Sequence, residues 1–260
     1  MNASSMGYPA QHGLYSPAFE HDACGIGMIV DIAGRRSHEI VSQALRILLN
    51  LEHRGGTGAE PDTGDGAGIL TQLPHPLLER ECHLLGIGLP APGRYGVGML
   101  FLSQDEGRRA AAESVFEAIV RGQGQRFLGW RSVPVNASTL GKTSRACMPV
   151  IRQAFIERSE DLDGEDAFER KLYLIRRIAE KRLRYAPDAR PGDFYAASLS
   201  CRTIVYKGML LSRQVSQLYL DLNDLAYDTA IALVHSRYST NTFPSWERAH
   251  PNRMILHNGE

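Results

Sequence analysis

The alternation of apolar and polar positions predicts a strand-rich chain with helices between the strands. Short apolar runs bounded by glycine, proline or charged residues indicate buried strands, whereas apolar residues recurring every three or four positions indicate one-sided helices. Strands are predicted at 25–31, 69–73, 95–102, 126–135, 148–156, 194–206, 230–239 and 254–259. Helices are predicted at 38–52, 75–85, 105–121 and 165–184. This order favours sheets packed with helices in layers.

Two of the predicted helices carry a distinct apolar stripe. The first stripe consists of Val41, Leu45, Leu48 and Leu49, and the second of Phe168, Leu172, Ile175 and Ala179. The arginines and lysines of the second helix are expected on its solvated face.

A polar segment rich in glycine, RGGTGAEPDTGDGAG at 54–68, separates the first helix from the next strand. It lacks the Lys-Ser/Thr end of a P-loop and the spacing of a dinucleotide-binding turn, so we interpret it as a structural loop. His53 and Arg54, next to its first glycines, are expected to line a site rather than to bind a metal.

Composition excludes some function classes. Apolar residues make up 43% of the 260 residues, which is enough for a substantial core, and 29 basic residues balance 29 acidic ones. A neutral chain lacks the basic excess of nucleic-acid and membrane binders. No apolar run approaches the roughly 20 residues that span a bilayer. The first 22 residues have no signal or transit character, so a cytoplasmic location is predicted.

The four cysteines, Cys24, Cys82, Cys147 and Cys201, have no close pair among them. Their spacing fits neither a disulfide framework nor a zinc site. The last three are predicted to be small buried hydrophobic residues.

Cys24 has two interpretations. It is either a core cysteine at the start of a strand or a nucleophile, which needs a base close to its thiol. His21 is near in sequence, but in an extended segment its side chain need not face Cys24. If the chain is cut between Ala23 and Cys24, the freed α-amine, with a pKa of ~8, takes the thiol proton instead. Residues 1–23 would then be a propeptide.

Two polar motifs follow the last predicted strands. HSRYSTNT at 235–242 is either a plain strand end or a binding site in which Arg237 holds a carboxylate with two parallel hydrogen bonds, beside Ser239, Thr240 and Asn241. HNG at 257–259 is either a hairpin turn or an oxyanion hole built from the Asn258 amide and the Gly259 N–H.

Taken together, these motifs resemble one family. Cys24-Gly25-Ile26-Gly27, LEHRGGTGAEPDTGDGAG, HSRYSTNT and HNGE occur in the order of a class II glutamine amidotransferase domain. More narrowly, they resemble the N-terminal glutaminase domain of the large subunit of glutamate synthase, as do FYAASLSCRTIVYKGML and TFPSWERAHPNR. Shorter relatives lack the TGAEPDTGDGAG extension and have a much shorter stretch between the HRG-like turn and the arginine strand.

The resemblance implies an α+β fold, a four-layer α/β/β/α sandwich of the N-terminal-nucleophile hydrolase type. It implies that Cys24 attacks glutamine with its own α-amine as base, that Arg237 holds the substrate carboxylate, and that Asn258 and Gly259 stabilise the oxyanion. In the full-length subunit it implies FMN and an iron–sulphur cluster, neither of which has a binding motif in these residues.

The same resemblance sets the expected domains and partners. We expect the amidotransferase domain to span 24–260 and to be truncated at its C-terminal end, because the family's acidic residue for the substrate amine lies past the HNG strand. Glutamine and the rest of the glutamate synthase chain are the expected partners. Whether a small electron-donating subunit is a further partner is left open. Two alternatives also stay open, an N-terminal-cysteine amidohydrolase with another amide substrate and a non-catalytic regulatory module.

Overall fold

The computed structural model describes residues 25–58, 60–238 and 242–252. These residues form two antiparallel sheets of four strands each, together with six α-helices. The strands are β1 Ile26–Val30, β2 Ala67–Gln72, β3 Tyr95–Leu102, β4 Arg126–Ser132, β5 Val150–Glu157, β6 Phe194–Ser200, β7 Thr203–Gly208 and β8 Ile231–Ser236. The helices are α1 His38–Asn50, α2 His75–Leu84, α3 Glu106–Gly122, α4 Lys142–Ala146, α5 Gly164–Ala179 and α6 Gln214–Leu218. None of the helices in these ranges is long and apolar enough to cross a membrane.

The first sheet has the strand order β1-β8-β2-β7, and the second has the order β4-β5-β3-β6. In the first sheet β8 lies between β1 and β2, with Ile26 opposite His235 and Ala67 opposite Ser236. The start of β1, the end of β8 and the start of β2 therefore meet at one end of this sheet.

The helices cover the outer faces of the two sheets. α1 contacts β1 and β8 of the first sheet, whereas α3 and α5 contact each other and the second sheet. Gly27 shows how close α1 lies, because a side chain at this position would overlap Ile47. The order helix, sheet, sheet, helices confirms the mixed α/β layers expected from the sequence.

The predicted strand 194–206 is wrong as one element, because the chain forms two strands that belong to different sheets. β6 ends at Ser200 and β7 begins at Thr203. Glu169 of α5 fixes the corner, since its Oε1 accepts hydrogen bonds from Ser200 Oγ (2.7 Å) and Cys201 N (2.6 Å). Ser200 Oγ in turn accepts from the N–H groups of residues 202 and 203. At this corner the chain passes from the second sheet, which contains β6, to the first sheet, which contains β7.

Several smaller predictions also need correction. Leu49 of α1 is exposed, because the buried face of that helix is centred on Val41, Ala44 and Leu48. Cys147 is exposed, since it ends the short surface helix α4, whereas Cys82 and Cys201 are buried as predicted. The predicted helix at 165–184 becomes π-helical after Ala179. The predicted strand 254–259 lies outside the described residues.

Candidate active site

The backbone around Arg237 joins three segments that are distant in sequence. The Arg237 N–H donates to the Gly66 carbonyl (2.8 Å), and the Arg237 carbonyl accepts from the Gly56 N–H (2.9 Å). The Ser236 N–H donates to the Gly25 carbonyl (2.6 Å). The residue that follows Cys24 is therefore hydrogen-bonded to the residue that precedes Arg237.

The Arg237 side chain is buried, with 6% of its surface exposed. Its Nη1 donates to the Asp65 carbonyl (3.2 Å) and its Nη2 to Thr242 Oγ1 (2.6 Å). Burial lowers the pKa of Arg237, the Asp65 charge opposes this shift, and Arg248 adds to it. An arginine stays protonated in proteins, so this end of the sheet holds a buried, oriented cation.

Glycines allow the polar loop to pack against this arginine. A side chain at Gly55 would come within 2.6 Å of Ser236 Oγ, and one at Gly56 would overlap the Asp65 carboxylate. Gly66 has a φ of +141°, a conformation that side-chain-bearing residues rarely adopt. The predicted loop at 54–68 ends earlier than expected, because β2 begins at Ala67.

A small cavity of about 50 Å³ lies behind the Arg237 backbone. Its lining includes Gly55, Ser212, Ser236 and Arg237, and the two serine hydroxyl groups are 3.0 Å apart. His53 and Arg54 do not line this cavity, and their expected place at the edge of a site stays a prediction. The cavity next to Arg237 is therefore lined by both polar groups and the apolar residues Leu210 and Leu211.

Arg237 is the predicted site residue that the structure describes. Cys24, Ser239, Thr240, Asn241, Asn258 and Gly259 lie outside the described residues. Asp65 and Thr242 were missed as partners of the arginine. The Asp65 contact is made by a backbone carbonyl, which no side-chain pattern reveals, and Thr242 carried no signal beyond its position in HSRYSTNT.

The described cysteines are not activated thiols. Burial raises the pKa of Cys82 to about 12 and also raises those of Cys147 and Cys201. A raised pKa lowers the thiolate fraction at neutral pH, and the thiolate is the nucleophile. Within the described ranges, no group of three or more His, Cys, Asp or Glu residues could hold a metal ion.

Comparisons with known proteins place these features in a family. The family model "Glutamine amidotransferases class-II" matches residues 24–260. The chain is 52% identical to the glutamate synthase [NADPH] large chain of Bacillus subtilis (strain 168) over 253 residues, which are 97% of this chain and 16% of that protein. It is 41% identical to glutamate synthase [NADH] of Schizosaccharomyces pombe over 257 residues, 97% of this chain and 12% of that protein.

Ferredoxin-dependent glutamate synthase 2 of Synechocystis is 43% identical over 241 residues, which are 93% of this chain and 15% of that protein. The chain thus spans less than a fifth of the length of these relatives. The family match covers both β1, which begins shortly after Cys24, and β8, which ends at Ser236 just before Arg237. The chain belongs to the class II glutamine amidotransferases.

Proposed function

We propose that this chain is the glutaminase domain of a glutamate synthase large subunit and that it hydrolyses glutamine to glutamate and ammonia. The observation that carries the proposal is the hydrogen bond between Ser236 N and Gly25 O, at 2.6 Å. It joins the residue that follows Cys24 to the residue that precedes Arg237, whose side chain is buried. A nucleophile and a carboxylate anchor at one end of a sheet suit an amino-acid amide as substrate.

In the proposed reaction Cys24 is the N-terminal residue after residues 1–23 are removed. Its α-amine accepts the thiol proton, and the sulfur attacks the side-chain amide carbon of glutamine. Asn258 and Gly259 donate to the oxyanion of the tetrahedral intermediate. The carbon–nitrogen bond breaks, the α-ammonium group gives its proton to the leaving ammonia, and a thioester remains. Water then hydrolyses the thioester to glutamate and restores the thiol.

Arg237 is proposed to hold the α-carboxylate of glutamine, with Ser239, Thr240 and Asn241 lining the same pocket. A guanidinium group binds a carboxylate through two parallel hydrogen bonds, which fixes orientation as well as position. The Asp65 carbonyl and the Thr242 hydroxyl already restrain the plane of this group. The anchor is therefore oriented before substrate arrives.

In the whole subunit the ammonia is proposed to pass to a second site that aminates 2-oxoglutarate. FMN and an iron–sulphur cluster would belong to that part of the protein, and a small electron-donating subunit is a further candidate partner. The relatives are named for NADPH, NADH and ferredoxin, so similarity in this region does not select an electron donor.

Substitution of Cys24 tests the proposal in the full-length enzyme. Cys24→Ser should lower glutamine hydrolysis by at least about 10³-fold, because the α-amine cannot deprotonate a hydroxyl group effectively. Synthesis from free ammonia should survive, since ammonia bypasses this site. Cys147→Ser is the matched control, because Cys147 is exposed and its loss should leave hydrolysis unchanged.

N-terminal sequencing of the same preparation tests the processing step. Active enzyme should begin at Cys24. Full activity in a protein that retains residues 1–23, or in Cys24→Ser, would contradict the proposed nucleophile.

A further inference from the structure

The segment 242–252, which follows the Arg237 region, is seated on glycines of two strands. Side chains at Gly66 and Gly68 would come within 3.0 Å of Ala249 and His250 backbone atoms, and one at Gly208 would overlap the Trp246 ring. We call Gly66, Gly68 and Gly208 the glycine floor. The segment lies too close to this floor for any side chain to fit between them.

Lys207 of β7 forms hydrogen bonds to two residues of this segment. The side chain is fully buried, and its Nζ donates to the Glu247 carbonyl (3.0 Å), to Asn252 Oδ1 (2.9 Å) and to Tyr195 Oη (3.0 Å). An ammonium group has three N–H donors, so the charged form satisfies all three acceptors at once. Two of these acceptors belong to the segment, at positions five residues apart.

The segment also touches the proposed substrate anchor. Thr242 Oγ1 accepts a hydrogen bond from Arg237 Nη2 at 2.6 Å, so a displacement of the segment changes the setting of the guanidinium. Asn252 also lies six residues before Asn258, the proposed oxyanion donor, on the same stretch of chain. The segment that Lys207 contacts is thus the one that holds Thr242 against the proposed substrate anchor.

We propose that the Lys207 ammonium group is a positioning group for glutamine binding, which clamps segment 242–252 onto the glycine floor and releases it on losing its proton. The effect on glutamine rests on the proposed glutaminase function, whereas the clamp itself does not. Lys207 touches no reacting atom in this scheme and acts through Thr242 and Arg237.

The surroundings of Lys207 bring its titration into the neutral range. Burial lowers the pKa of Lys207 to about 7, with Arg176 and Arg184 also lowering it and Glu247 opposing them. The Glu247 carboxylate is paired with Arg184 (2.7 Å). Burial raises the pKa of Tyr195, so its phenol stays neutral. Glu180, the remaining acidic group nearby, is paired with Arg176.

The direction of the pH effect follows from the donors. Below its pKa, Lys207 donates three charge-assisted hydrogen bonds. Above its pKa, the amine has two N–H donors and a lone pair, so the clamp loses its charge and one donor. With a pKa near 7, the neutral fraction rises about tenfold between pH 6 and pH 8. The segment should therefore be held at pH 6 and released at pH 8.

Limited trypsin digestion of the full-length protein tests the clamp without any assay of activity. Arg248 is an exposed residue within the segment, and Arg35 is exposed in the loop after β1. The rate of cleavage after Arg248 is divided by the rate after Arg35, which removes the pH dependence of trypsin itself. In the wild-type protein this ratio should rise about tenfold from pH 6 to pH 8.

Lys207→Met should give a high ratio that does not change with pH. Lys142→Met, at an exposed lysine, is the matched control and should behave like the wild type. Histidine is the side chain whose ordinary pKa lies closest to neutrality, and the rings of His235 and His250 are 4.8 Å apart in the same region. A pH-dependent rise that persists unchanged in Lys207→Met would assign the effect to these histidines and overturn the proposal.

If Lys207→Met does not fold, Asn252→Ala serves as the second variant, because it removes one acceptor and leaves the lysine. It should raise the ratio at pH 6 while keeping part of the pH dependence, and an unchanged ratio would contradict the clamp. Trp246→Phe removes the bond from Nε1 to the Ser144 carbonyl (3.1 Å) and the part of the ring that packs on Gly208, but leaves Lys207 and its acceptors intact, so it should raise the ratio equally at every pH.

Steady-state kinetics then link the clamp to glutamine. KM for glutamine should rise from pH 6 to pH 8 in the wild type, whereas Lys207→Met should have a high KM throughout this range. The α-amine of Cys24 also titrates here, but its effect should be on kcat. If the cleavage ratio rises with pH while KM for glutamine stays constant, the positioning role is refuted. An absence of glutaminase activity would instead refute the proposed function and leave the clamp result standing.

Discussion

At the scale of single residues, Arg237 combines burial with charge, and its guanidinium donates to the Asp65 carbonyl and the Thr242 hydroxyl. A buried cation is stabilised when an anion with matching geometry arrives, and a carboxylate matches a guanidinium in this way. The contacts to Asp65 and Thr242 restrict the rotation of the guanidinium. This restricted geometry supports the proposed role of Arg237 as an anchor for a substrate carboxylate.

Arg237→Lys should raise KM for glutamine by about tenfold to a hundredfold and leave kcat nearly unchanged. A lysine offers one point charge in place of a planar fork, so part of a charge-assisted contact worth about 1.5–3 kcal/mol is lost. Steady-state kinetics on the full-length enzyme measure this split. Arg248→Lys, an exposed arginine in the adjoining segment, is the matched control. A fall in kcat at constant KM would rule out an anchoring role.

The position of Arg237 at a strand end could be predicted from the sequence, but its surroundings could not. The run AIALVHS has the apolar character of a buried strand, so the charged residue directly after it is expected where that strand ends. The contacts to Asp65, Gly66 and Gly56 depend on backbone groups more than 170 positions away. Backbone carbonyls are the same in every residue, so side-chain patterns carry no information about which ones meet.

At the scale of elements, most helices and strands could be predicted because their apolar periods are clear. The stripe Phe168, Leu172, Ile175 and Ala179 of α5 is buried as the spacing indicates. The corner between β6 and β7 was missed, since the apolar pattern continues across Ser200 and Cys201 without glycine or proline. A side chain from another element, Glu169, turns the chain there, and periodicity within the strand cannot show it.

Glu169→Ala should lower the free energy of unfolding of the chain by about 2–4 kcal/mol. The substitution removes the acceptor of Ser200 Oγ and Cys201 N in a buried corner, and each unsatisfied buried donor costs about 1–3 kcal/mol. Urea unfolding followed by tryptophan fluorescence measures the change. Arg170→Ala, at the exposed residue next to Glu169 on the same helix, should change it by less than about 0.5 kcal/mol. Equal effects of the two substitutions would show that Glu169 does not fix the corner.

At the scale of the whole molecule, a buried polar network joins the two sheets. Arg131 of β4 donates from both Nη atoms to the Asp221 carboxylate (2.8 Å each), and Nη1 also donates to Gln153 Oε1 of β5 (3.0 Å). Tyr206 of β7, in the other sheet, donates its hydroxyl to Asp221 Oδ2 (2.9 Å) and accepts from Gln153 Nε2 (3.2 Å). The network therefore sets how the two sheets lie against each other, which also determines where Tyr195 of β6 meets Lys207 of β7.

Because this ion pair is buried, removing one charge alone should lower the free energy of unfolding by more than half of what the whole pair contributes. Arg131→Met should destabilise the chain by about 3–5 kcal/mol, since it removes the cation that pairs with the buried Asp221 carboxylate. Asp221→Leu should cost less, because Glu81 Oε2, 3.1 Å from Arg131 Nη2, still pairs with the guanidinium. The double variant removes both charges and should be destabilised by clearly less than the sum of the two. A double-mutant cycle from urea unfolding gives the coupling energy.

The exposed pair Arg35 and Asp31, 3.0 Å apart, is the control and should couple by less than about 1 kcal/mol. Additive effects at Arg131 and Asp221 would mean that packing, and not this network, holds the two sheets together.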